Sequence, residues 1–121
     1  MSVAVWCAVG ALGAFGALAR FAVDSLVSTR IAGRLPWGTF VVNVGGALVL
    51  GLLVGAAVGG DAYVLAGTAT IGSYTTFSTW MLETFLLAED GQLRWAAANV
   101  LGSLAVGLAA AELGNAIGGL L

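Results

Sequence analysis

At 121 residues and 12.0 kDa the chain has the length of one domain, and its composition excludes a water-soluble one. Hydrophobic residues make up 60% of it, charged residues only 8%, against roughly 25% charged in a soluble domain. The absences narrow the chemistry further. There is no histidine and no lysine, and the one cysteine, Cys7, lies in a hydrophobic run. These exclude an intrachain disulfide, a His or multi-Cys metal site, Cys–His nucleophilic catalysis and a histidine proton relay. A net charge of −2 with only four arginines provides no electrostatic footprint for nucleic acid. No enzyme is expected. A pore, a transporter or a structural membrane protein remains.

Residues 3–19, 35–60, 62–82 and 95–111 carry no Asp, Glu, Lys or Arg, and a membrane-spanning helix needs about 20 mostly apolar residues. The pattern predicts an all-α polytopic membrane protein, with residues 1–121 forming a single membrane domain of four helices near 3–26, 36–58, 62–88 and 93–118. Because the first positive residue is Arg20, the first run lacks the basic flank of a signal peptide and is expected to remain as a helix. Pro36 suits the first turn of the second helix, where its missing N–H costs nothing. That helix carries Ala47, Gly51, Gly55 and Gly59 four apart, and the fourth repeats the spacing with Ser103, Gly107 and Ala111. Small residues at this interval let helix backbones approach closely in lipid. Gly59-Gly60-Asp61 and Glu89-Asp90-Gly91 read as turns.

Connections this short impose up-down-up-down order, with both termini on one side. Arg30, Arg34 and Arg94 fall in loops on the opposite side, and the terminal side has no Lys or Arg. The positive-inside rule then places the Arg-bearing loops in the cytoplasm and both termini outside, if insertion is fixed.

The third helix is anomalous. From Thr68 to Thr79, eight of twelve residues carry a hydroxyl, and the centre of a 62–88 helix falls near Thr75. Polar groups at that depth are expensive unless they face the bundle interior or a water-filled path. Gly and clustered Ser/Thr also make a poor continuous helix, which predicts a break at 72–75. Unwound backbone is tolerated there only where it lines a cavity or is buried in protein. Freed carbonyls suit a cation such as Na+, and the following half-helix offers N–H groups to an anion. Alternatively, the hydroxyls bond back to their own helix.

Other candidates surround this stretch. Asn43, two turns inside the second helix, is either an interhelical clamp or, with Thr39, part of a donor-lined track. Phe77 and Trp80 share a helix face. They pack, or they present positive ring edges to an anion. Arg20 either snorkels from the end of the first helix or marks an anion vestibule. Glu83 lies two turns beyond the break. Asn99 and Ser103 are i,i+4 neighbours on the fourth helix, placed to pair or to line the same track.

The run G-S-Y-T-T-F-S-T-W (72–80), with Asn43 in W-G-T-F-V-V-N-V-G-G (37–46) and Arg20 in G-A-L-A-R-F (16–21), resembles the Fluc family of fluoride channels, also called CrcB. The likeness covers all four helices. It implies a fluoride-specific ion channel of the prokaryotic cytoplasmic membrane, passively exporting fluoride and lowering its toxicity. It implies a dual-topology dimer, two antiparallel subunits forming two pores. It also implies a structural, untransported Na+ at the dimer centre, held by the backbone carbonyls of Gly72 and Thr75. Phe77 matches the family's first pore phenylalanine and Asn43 its pore asparagine. Thr39, Ser78, Thr79 and Ser103 fall at polar-track positions, and Glu83 matches an acid at that spacing. Trp80 departs from the pattern, standing where the family has a second phenylalanine. Ser73 and Tyr74 also replace residues that are often smaller or non-aromatic.

The chemistry agrees with this resemblance. Fluoride is small and strongly hydrated, and many neutral donors replace its water without the deep trap of an Arg or Lys ring. The competing reading is a proton-coupled exporter of small cations or drugs of the small four-helix type. Such a protein needs a deep carboxylate in its first helix, and no acid precedes Asp24. The Arg asymmetry adds a choice between an antiparallel homodimer and a heterodimer with an oppositely oriented paralogue.

Overall fold

The computed structural model describes residues 1–121, all helices and connections, with no strand. Helix α1 is Val3–Arg30, α2 is Trp37–Gly55, α3 covers 60–74, α4 is Ser78–Glu89 and α5 is Leu93–Gly118. Helices α1, α2 and α5 are each long and apolar enough to cross a membrane. The remaining crossing is shared by α3 and α4, on either side of a break. The chain is a multi-pass membrane protein.

Local chemistry sets the helix limits. Ser2 caps α1, its Oγ accepting the Val5 N–H at 3.2 Å. The helix continues past the expected residue 26 to Arg30. Ser28 donates to Asp24 Oδ1 and Thr29 to the Leu26 carbonyl, so the polar end satisfies itself along its own axis. Arg30 closes it with a positive charge at the negative end of the helix dipole. Pro36 sits one position earlier than expected, as the N-cap of α2, and its carbonyl accepts the Phe40 N–H at 3.2 Å.

Helix α2 stops at Gly55, three residues short of expectation. Val58 N–H bonds to the Leu53 carbonyl and Ala57 N–H to that of Val54, both at 3.0 Å. This is a Schellman closure. Its left-handed position is occupied by Ala57 at φ +57°, a residue type that turn preferences do not flag. The Glu89-Asp90-Gly91 turn closes α4 in the same manner at the expected place, with Gly91 at φ +77°. Arg34 lies over the Trp95 ring at 5.9 Å, joining the 31–36 loop to the start of α5.

The bundle is thin. Only 12 of 121 residues are buried, and the buried hydrophobic ones are Val42, Ala69 and Ala96. The large side chains point outward, as the bilayer requires of a membrane bundle whose helices meet through small residues. Helices α2 and α5 run parallel and touch through glycine. A methyl added at Gly51 would overlap the Ala111 carbonyl, and one at Gly55 would overlap that of Asn115. In return, Gly114 faces the Leu48 carbonyl and Gly118 that of Leu52. Helices α1 and α3 also run parallel, Gly16 lying against the Thr70 carbonyl and Ser73 Oγ. Two parallel pairs are what alternating traverses produce. The small-residue row of α2 is divided between uses: Gly51 and Gly55 pack on α5, whereas Ala47 lines an open groove.

Helix α3 keeps α-helical winding only at its ends. Between Val64 and Ile71 it widens into a π-helix, with Gly72 N–H reaching the Gly67 carbonyl and Thr70 Oγ1 donating to that of Leu65 at 2.7 Å.

The glycine contact between α2 and α5 yields a stability prediction. Gly114→Val, which drives new atoms into the Leu48 carbonyl, is expected to cost about 1–3 kcal/mol through overpacking. The readout is a lower thermal midpoint in detergent. Gly10→Ala, at a position with open space, is expected to leave the midpoint unchanged.

Candidate functional site

The break comes slightly later than the sequence predicts, at 75–77 rather than 72–75. Gly72 and Ser73 stay helical because the Ser73 hydroxyl bonds back to the Ala69 carbonyl at 2.7 Å and the Thr70 carbonyl at 3.1 Å. Thr75 still closes the helix, both its N–H and its Oγ1 donating to the Ile71 carbonyl at 3.0 and 3.1 Å. Its own backbone then turns extended, at φ −79° and ψ 162°.

Side chains from other helices receive the freed backbone. Asn43 Oδ1 accepts the Thr76 N–H at 2.9 Å, and Asn43 Nδ2 donates to the Thr76 carbonyl at 2.8 Å. The amide thus pairs with one peptide unit as a strand neighbour would. In a continuing helix that N–H would have gone to the Gly72 carbonyl, which is therefore released. Arg20 Nη1 donates to the Thr75 carbonyl at 3.1 Å. The guanidinium therefore reaches inward to the break and does not snorkel to the interface. Thr76 Oγ1 accepts the Thr79 N–H at 3.2 Å and donates to Thr79 Oγ1 at 3.1 Å, capping the start of α4. The Phe77 N–H has no backbone acceptor.

Two cavities flank this segment, and Thr76 lines both. One is an open groove of about 590 Å³ that brings together Asn43, Thr75, Phe77, Trp80 and Ser103, with Gly72 on its wall. The other, about 210 Å³, holds Arg20, Asp24, Thr39 and Thr79. Thr39 is buried, at 3% exposed. Phe77 stands 70% exposed beside the groove and meets Trp80 edge-to-face, ring centroids 5.7 Å apart at 85°. The Trp80 Nε1–H donates to the Asn99 carbonyl at 3.2 Å. The N–H that distinguishes Trp from Phe at this position is therefore already engaged by the protein.

The sequence-predicted residues fall into three groups. Asn43, Thr75, Phe77, Trp80, Ser103 and Gly72 gather at the groove, and Arg20, Thr39 and Thr79 at the smaller cavity. Ser78 is exposed and lines neither. Glu83 also lies outside both, with Oε1 buried and without a hydrogen-bond partner. Sequence reasoning missed Thr76 as the hinge between the cavities and Thr84 as a partner of α5. Both sat in view as hydroxyl residues, but only neighbours distant in sequence distinguish them from Thr70 or Thr75.

The Asn43 pairing is open to direct measurement. Asn43→Ala leaves the Thr76 peptide without either partner and is expected to destabilise the fold by about 1–3 kcal/mol, the cost of abandoning buried polar groups. Thermal unfolding in detergent, compared with Thr68→Ala on the same bundle, reports it.

Residues 7–115 match a family described as CrcB-like protein, Camphor Resistance (CrcB). The chain is 50% identical over 115 residues to fluoride-specific ion channel FluC 2 of Mycobacterium tuberculosis, an alignment covering 95% of this chain and 91% of the relative. It is 43% identical over 119 residues to fluoride-specific ion channel FluC 1 of Symbiobacterium thermophilum, covering 93% and 96%. With fluoride-specific ion channel FluC 2 of Natronomonas pharaonis the identity is 46% over 114 residues, covering 94% of each. A four-crossing bundle broken inside its third traverse, matched to that family along nearly its whole length, belongs to the CrcB family.

Proposed function

We propose that this chain is a fluoride-specific channel, through which fluoride leaves the cytosol passively and its toxicity falls. The observation carrying this reading is the cluster of uncharged donors at the break in the third crossing, in a chain about half identical to proteins named fluoride-specific ion channels. A small anion gives up its hydration only where short hydrogen bonds replace it, and it leaves again only if no fixed cation traps it. Asn43 has two amide hydrogens and spends one on the Thr76 carbonyl. In the groove the second hydrogen, the Ser103 hydroxyl and the ring edge of Phe77 are available for the anion; Thr39 and Thr79 offer hydroxyls in the smaller cavity, where Arg20 is engaged by the Thr75 carbonyl. HF crosses the bilayer uncharged and dissociates inside, so an inside-negative potential then drives the anion out through such a pore. The reading assigns the protein to transport rather than to catalysis.

A second copy belongs to this proposal. One chain offers only one side of the groove, and Phe77 projects from it. An antiparallel partner, identical or an oppositely inserted paralogue, would close the groove, and with fixed insertion both termini of this chain lie outside. The relatives include chains named FluC 1 and FluC 2, which accords with a paralogue pair.

The proposal includes a structural Na+ at the centre of the dimer. The Gly72 carbonyl, released because Asn43 takes the Thr76 N–H, fits a site built of backbone oxygens. The Thr75 carbonyl keeps one lone pair beside the bond from Arg20. Two oxygens from each chain across a two-fold would make four. Bound there, the cation would satisfy the Gly72 carbonyl, which faces no donor, and would share the Thr75 carbonyl with Arg20.

Purified protein in liposomes loaded with fluoride or chloride is expected to release fluoride and retain chloride, and Phe77→Ile is expected to abolish that release without loss of assembly. Equal leakage of both halides rejects the channel. Protein stripped of Na+ and assayed in Na+-free medium is expected to lose fluoride flux, and undiminished flux rejects the sodium site.

A further inference from the structure

Trp80 is held by more than the ring contact with Phe77. Its Nε1–H donates to the Asn99 carbonyl at 3.2 Å, and its own carbonyl accepts from Thr84 Oγ1 at 2.9 Å. Thr84 Oγ1 in turn accepts from Asn99 Nδ2 at 2.8 Å. Five groups form a closed circuit: ring and backbone of Trp80 on α4, backbone and side chain of Asn99 on α5, with the Thr84 hydroxyl between them. Asn99 is 4% exposed, so these bonds are made away from competing solvent and each unpaired group would be costly.

The circuit bears on what Trp80 shows to the groove. Indole has a donor edge and a carbon edge, and both attract anions, the N–H far more strongly. Trp80 lines the groove beside Phe77 while its N–H is turned to α5. We propose that Thr84 and Asn99 are positioning residues for permeation, acting through Trp80: they withdraw the indole N–H from the groove, so that the permeating anion meets an aromatic carbon edge as it does at Phe77. A fixed donor at that point would bind the anion tightly and slow its release, since conduction requires sites weak enough to leave. Tryptophan is thereby accommodated beside Phe77 without adding a trap. This inference rests on the channel reading above, and its test separates the two.

Fluoride efflux from liposomes is measured for Thr84→Val and Thr84→Ser, each with Trp80 and with Trp80→Phe, which keeps a ring and removes the N–H. With Trp80 present, Thr84→Val is expected to lower flux about tenfold, the order that one buried hydrogen bond commands, and Thr84→Ser to restore it. With Phe at position 80 the Val substitution is expected to lose most of its effect, because the two sites act as one unit. An equal loss in both backgrounds overturns the proposal, since Thr84 would then merely support α4. If Thr84→Val fails to assemble, Asn99→Ala, which removes the buried donor together with its need for an acceptor, carries the same expectation.

Hydrogen exchange of the Trp80 indole N–H, followed by NMR in micelles, decides the point without any flux. Slow exchange in the wild type and faster exchange in Thr84→Val support the circuit. Fast exchange in both overturns it. Absence of fluoride flux in the wild type defeats the channel reading alone, and the exchange measurement still judges the clamp.

Discussion

A helix that comes apart inside a membrane must find partners for its own peptide groups, because lipid offers none. In this protein the requirement falls on one peptide unit, that of Thr76, and is met by one side chain, Asn43, which supplies both an acceptor and a donor. The consequences spread from that pair. With its N–H claimed, Thr76 no longer continues the helix, the Gly72 carbonyl is released, and the Thr76 hydroxyl is left free to cap the next helix. Arg20 completes the arrangement at the Thr75 carbonyl.

The glycine contacts serve the same end. Asn43 reaches Thr76 only if α2 lies close to the third crossing, and Gly46 lies directly against the Thr75 methyl. On the other side, Gly51, Gly55, Gly114 and Gly118 bring α2 onto α5, while the tight turn at Glu89-Asp90-Gly91 folds the start of α5 back along α4, where Asn99 meets Trp80 and Thr84. In water, so many helical glycines would weaken the helices. In the bilayer, where apolar surface gains little from being hidden in protein, close backbone approach is what holds helices together. Phe77 and Trp80, the large side chains at the break, then stand at a groove whose other walls alternate small residues such as Ala47 and Gly107 with larger ones such as Leu50 and Leu104.

Much of this was legible in the chain itself, and the failures are instructive. Four traverses, their order and the break followed from charge-free lengths and from eight hydroxyls crowded around Thr75. The sequence predicts the break at 72–75 and the structure opens it at 75–77, because Ser73 satisfies itself on the Ala69 carbonyl, and a hydroxyl that bonds backward looks identical in sequence to one that does not. Helix α2 ends three residues before the pattern predicts because Ala57 adopts a left-handed conformation that glycine usually takes. Composition alone gives Arg20 two destinations, and only the Thr75 carbonyl decides between them; Ser78, at a track position in the family pattern, lines neither cavity.

Sequence by itself determined that the chain lives in a membrane, how many times it crosses, and where polar groups enter the apolar layer, because the hydrophobic thickness and the cost of burying polarity act on composition along one dimension. It also carried the family, through a run of nine residues and two outlying positions. Tertiary structure alone decided how each polar group is spent. Asn43 divides its amide between a clamp and a free hydrogen, Thr76 joins two cavities, and the Trp80 N–H turns away to Asn99. Hydrogen-bond capacity is a property of the residue, but its allocation depends on which acceptors lie within about 3 Å, and those come from helices far apart in the chain.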